Sequence, residues 1–137
     1  MKLRCERRPL PMQMLIVLIC ATIISSCGQS MGDRVDIDNL KVYYLPSVPK
    51  TDAIAFAKFW KENGFLGQDE QFIQLSITEK GMVHVKLIEK EKYHDQYLSV
   101  EEQALLSQLE RMLEKEVFQK RVVILITDNT YAEIERQ

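Results

Sequence analysis

Two alternating runs, residues 72–78 (F-I-Q-L-S-I-T) and 82–88 (M-V-H-V-K-L-I), flank the tripeptide Glu79-Lys80-Gly81. Side chains alternate across a strand with a period of two. Ile73, Leu75 and Ile77 therefore share one face with Val83, Val85 and Leu87, and Gln74, Ser76, Thr78, His84 and Lys86 share the other. A three-residue connection with glycine where a positive φ is wanted closes such runs into an antiparallel hairpin. A hairpin that is apolar on one face only needs a cover on that face, and this requirement organises the rest of the chain.

Two helical patterns can supply the cover. Residues 51–63 (T-D-A-I-A-F-A-K-F-W-K-E-N) predict a helix with Thr51 as N-cap, Asp52 in the positive first turn, and Gly64 as the left-handed residue that ends it. Phe65 should then fold back onto Trp60, and Ala53, Phe56, Ala57 and Trp60 form the buried stripe. The second helix opens with a capping box, Ser99 to Glu102. Leu105, Leu106, Leu109, Met112, Leu113 and Val117 recur along it at helical spacing, which leaves Glu110, Arg111, Glu114 and Lys115 for its outer side.

Strands are predicted at 40–45 (L-K-V-Y-Y-L) and at 121–127 (R-V-V-I-L-I-T). The resulting order, β-α-β-β-α-β over residues 40–137, implies an α+β split sandwich of the ferredoxin-like kind: two helices packed on one face of a four-stranded, mainly antiparallel sheet. One strand fits this plan poorly. In the usual order the fourth strand is an edge, yet residues 122–126 are apolar on both sides. Val122, Ile124 and Ile126 are assigned to the core, and Val123 and Leu125 to a separate cover: residues 130–137, a second copy or a partner. A central position in a different strand order is the other option. Val123 and Leu125, with His84 and Lys86 on the wet face, form the candidate interaction surface.

The first 26 residues do not belong to this sandwich. Lys2, Arg4, Arg7 and Arg8 stand against one acid, Glu6, and residues 14–24 carry no charge. Eleven apolar residues fall short of the roughly 20 that span a bilayer, so the run has the length of a signal-peptide core. Directly after it comes Ile24-Ser25-Ser26-Cys27-Gly28. This stretch resembles the lipobox of bacterial lipoprotein precursors, in which an aliphatic residue and two small residues precede a cysteine. The resemblance implies that a diacylglyceryl group is attached to the Cys27 thiol, that residues 1–26 are removed, and that fatty acyl chains hold the protein in the cell envelope. It also implies an outer-membrane address in a host with two membranes, because Gly28 is not acidic. An ordinary secreted protein cleaved near residues 25–28 is the alternative. That reading leaves one free thiol in an oxidising compartment, since Cys5 and Cys20 lie in the removed segment. The rest of the link to the domain, through Asn39, reads as a flexible, polar tether.

Removal of residues 1–26 takes four of the 18 basic residues and one of the 20 acids, leaving 14 against 19. Nucleic acid is excluded as a partner by that balance and by the interleaving of the two signs. The partners expected are the membrane, through lipid on Cys27, and a protein or a second copy of the chain. No phosphate-cradling loop, metal motif or dinucleotide fingerprint occurs, so no cofactor and no metal are expected. The densest cluster of reactive side chains is Tyr93, His94, Asp95 and Tyr97, and the histidines are His84 and His94 alone. A non-enzymatic binding or accessory module is the first reading. A small periplasmic hydrolase or transferase using those histidines, and an immunity-type lipoprotein that neutralises a toxin or hydrolase, are the alternatives.

Overall fold

The computed structural model describes residues 30–90, 93 and 96–134. The expected signal segment and Cys27 lie outside the described residues, as do His94 and Asp95. The elements in chain order are β1 (Asp33–Ile37), β2 (Leu40–Tyr44), α1 (Lys50–Glu62), β3 (Gln71–Ile77), β4 (Val83–Ile88), α2 (Val100–Leu113) and β5 (Val122–Thr127). They form an α+β fold with both helices on one face of a five-stranded mixed sheet.

The first correction to the sequence reading is β1. Residues 33–37 are not tether but a strand paired antiparallel with β2, Val35 opposite Val42 and Ile37 opposite Leu40. Asp38 closes the two-residue turn with a φ of 52°, and the Asn39 side chain fixes its exit by donating to the carbonyls of Gly67 and Asp69, both at 2.7 Å. Val35 and Ile37 are half-buried against the core, which gives this charged strand its reason to pair.

The second correction follows from the first. In a ferredoxin-like sandwich the last strand pairs beside the strand that precedes the first helix. Here β1 occupies that position, and β5 pairs parallel with β4, so the sheet runs β1-β2-β3-β4-β5. β2 and β3 are parallel, and β3 and β4 are antiparallel. The sheet is therefore evenly mixed and five-stranded, not mainly antiparallel and four-stranded. The two crossovers move in the same lateral direction between strand pairs of opposite sense, with both helices on one side. They consequently have opposite hands, and one departs from the right-handed preference.

α1 is built largely as its sequence dictates. Ala53, Phe56, Ala57 and Trp60 are buried, joined by Phe59. Each large apolar side chain removed from water contributes roughly 1.5–3 kcal/mol. Gly64 takes a φ of +76°, the Phe65 N–H donates to the Trp60 carbonyl at 3.1 Å, and the two rings lie 5.0 Å apart. The start differs by two residues: Pro49 is the N-cap, without a side-chain bond, and Thr51 lies inside the helix. Proline fits there because its missing N–H would have had no helical acceptor.

α2 has the expected capping box, with Glu102 N–H donating to Ser99 Oγ at 3.2 Å and Ser99 N–H to Glu102 Oε2 at 2.7 Å. Its last turn widens into a π-helical stretch, Glu114–Phe118, closed by the Gln119 N–H on the Glu114 carbonyl at 2.9 Å. Phe118 is thereby buried, its ring 6.1 Å from that of Phe56. Leu113 is fully buried, but Leu105, assigned to the stripe, is 65% exposed.

Candidate functional site

β5 is an edge strand, and the chain itself covers its open side. Two acids assigned to the outer side of α2 accept its outward amides: Ile124 N–H donates to Glu110 Oε1 at 2.8 Å, and Val122 N–H to Glu114 Oε1 at 3.0 Å. Farther along, Ile134 N–H donates to the Ile126 carbonyl at 3.3 Å. Val122 and Ile124 are buried and Ile126 is half-buried in the core, while Val123 and Leu125 occupy the opposite face, both half-buried.

That opposite face gathers the candidate residues. His84 sits directly across from Val123, and Lys86 from Leu125, so the four predicted surface residues form two adjacent cross-strand pairs. Gln74 is opposite Lys86 on one side and Tyr43 on the other. The face was expected to be wet, yet Gln74 is 5% exposed. Both ends of the described chain cover it. The Gln74 Nε2–H donates to the Met31 carbonyl at 3.2 Å, and from the other end Lys86 Nζ donates to the Tyr131 carbonyl, also at 3.2 Å.

Tyr131 is held tightly. It is 4% exposed, takes a φ of 62°, and meets the Tyr43 ring edge-on with centroids 6.3 Å apart. Its hydroxyl has no hydrogen-bond partner among the described residues. Burial, and then the proximity of Tyr43, push its pKa up to about 12. Toward the β1 side, Arg34 lies over the Tyr43 ring at 6.0 Å and pairs with Asp36 at 2.8 Å. Its pKa is raised, chiefly by a hydrogen bond to Tyr43 and then by Asp36. Lys41 completes the row, bonded to Glu70 at 2.6 Å with its Nζ 5.3 Å from the Phe72 ring centroid.

Other concavities are separate from this face. A cavity of about 480 Å³ lies near Trp60, Gln71 and Lys90, where Trp60 Nε1–H donates to Gln71 Oε1 at 3.2 Å. An apolar groove of about 260 Å³ runs between Phe65 and the α2 residues Leu105, Leu106, Leu109 and Met112. His84 lines neither. Of the loop cluster, Tyr93 and Tyr97 are 41% and 69% exposed; His94 and Asp95 lie outside the described residues. Among the described residues no group of three or more His, Cys, Asp and Glu could hold a metal ion, and no helix is long and apolar enough to cross a membrane.

Sequence reasoning missed Tyr43 and Tyr131. Tyr43 had a signal, because alternation in L-K-V-Y-Y-L puts Lys41 and Tyr43 on the face opposite Leu40, Val42 and Tyr44. Tyr131 had none, since its place depends on a turn beyond the last strand. No protein-family model, curated protein or solved structure matches the chain.

Proposed function

We propose that the chain is the precursor of a lipid-anchored bacterial envelope protein, in which residues 1–26 direct export and Cys27 carries the acyl chains. The observation that carries this reading is the sequence itself: a basic start, eleven uncharged residues and then I-S-S-C. More than one acyl chain makes anchoring stable, because each buried methylene contributes about 0.8 kcal/mol. Gly28, being non-acidic, favours the outer membrane. The domain of residues 33–134 acts as a non-enzymatic binding or accessory module. Its outer sheet face supports that role, since it groups cations, aromatic rings and the half-buried Val123 and Leu125 on one surface.

Two measurements test this. Mass spectrometry of the protein from its native host should find Cys27 as the N-terminal residue, bearing diacylglycerol. Cys27→Ser should leave the fold intact by circular dichroism and shift the protein out of the membrane fraction. An unmodified Cys27 in that material refutes the anchor.

A further inference from the structure

Where the chain enters the domain decides which face a short anchor can turn toward the bilayer. The bond from Gln74 to the Met31 carbonyl holds residue 31 on the outer face of the sheet, and Gln74 belongs to the central strand, two places in from the β1 edge. Four residue steps separate Met31 from Cys27, a reach of roughly 14 Å at full extension. Placing the helices against the membrane would send this segment around the β1 edge and past the helix layer. A layer spacing of about 10 Å plus a helix radius of about 5 Å already exceeds the reach, before the passage to the edge is added.

We infer that the outer face of the sheet lies against the headgroup layer of the membrane that holds Cys27, with Arg34 and Lys41 turned toward lipid phosphates; this rests on the lipid anchor proposed above. Charge distribution agrees with the geometry. Two acids, Asp36 of β1 and Glu70 just before β3, are each bonded to one of its bases. The helix layer carries seven acids against five bases, concentrated on α2 and its π-helical end with five acids against two bases, and that side is the less favourable one for an anionic surface. Tyr43 brings a half-buried ring with a polar tip, the side-chain type enriched at membrane–water boundaries.

The test uses lipidated protein in phosphatidylethanolamine/phosphatidylglycerol vesicles that contain a headgroup nitroxide. Acylated Cys27 is a thioether, so a thiol introduced by Arg34→Cys, Ser76→Cys, Lys58→Cys or Lys115→Cys accepts a maleimide fluorophore selectively. Quenching at positions 34 and 76 should exceed that at 58 and 115 several-fold. Equal or reversed quenching on protein whose Cys27 carries the acyl mass overturns the orientation and leaves the anchor standing. A Cys27 without acyl mass overturns the anchor and the orientation with it.

Discussion

Replacing Glu110 and Glu114 together by alanine should weaken the domain and open it to self-association. Each carboxylate accepts one outward amide of β5, at 2.8 and 3.0 Å. A hydrogen bond to a charged group contributes roughly 1.5–3 kcal/mol when buried. These two are half-buried, so the freed amides recover part of that from water, and about 1 kcal/mol each is the expected loss. The two acids are four residues apart on one helix, and relief of their mutual repulsion returns about 0.2–0.5 kcal/mol, too little to reverse the sign. With a urea slope of roughly 1–3 kcal/mol per molar, the double variant should unfold about 1 M earlier. Glu110→Gln with Glu114→Gln keeps both acceptor oxygens and should lose clearly less. Uncapped edge amides are a template for pairing with another chain, so sedimentation velocity should show concentration-dependent oligomers for the alanine pair alone. A double alanine variant that unfolds at the parent midpoint and sediments as the parent does would refute the edge-capping account.

Three further outcomes are expected. Ser99→Ala should cost about 1 kcal/mol in chemical denaturation, by freeing the amide that its hydroxyl accepts at the start of α2. Gly64→Ala should cost about 1–2 kcal/mol from a positive φ alone, since a Cβ there meets nothing within 4 Å; Gly32→Ala should cost more, because its Cβ would sit 2.2 Å from the Tyr44 carbonyl oxygen. Equal midpoints for the two glycine variants would show that this approach relaxes freely. Tyr131 has a folded-state pKa above its unfolded value, so the folded state holds the proton more tightly, and that contribution is complete below about pH 10 and lost as pH rises toward about 12. Tyr131→Phe should remove this alkaline loss from pH-dependent unfolding curves and be at least as stable as the parent at pH 7. A marked loss at pH 7 would mean that the hydroxyl is bonded after all.

Local features were legible in the sequence wherever one residue type meets one backbone demand. Gly64, Gly81 and the Ser99–Glu102 box are read from the chain directly, as are the buried stripe of α1 and the alternation of β3 and β4. What escaped was set by tertiary competition. Asp33 to Asn39 looks like solvated linker because its acids mask the alternation of Val35 and Ile37, and pairing with β2 settles its state. Once β1 takes that edge, β5 is displaced from β2 and pairs with β4, and a topology drawn from four strands cannot show it. Glu110 and Glu114 lie at positions that helical periodicity assigns to solvent; the edge of β5, far along the chain, gives them acceptor work. The outer face was half legible: alternation places His84, Lys86, Val123 and Leu125 opposite the core, whereas the pairing of β4 with β5 that joins them, and their cover by Met31 and Tyr131, depend on strand order and turns that no pattern announces.

The spatial order of the five strands is also their order along the chain. Every ladder therefore joins consecutive strands, and no strand waits for a partner made later. For a polypeptide delivered N-terminus first, from a ribosome or through a translocation pore, the sheet can grow by accretion, each new strand docking on the edge laid down just before it. Until β5 docks, that growing edge stays open and able to pair with a neighbouring chain. The acids of α2 emerge before β5, so the groups that cap the edge are delivered ahead of the final strand. Synthesis order and edge protection are thereby matched in time as well as in space.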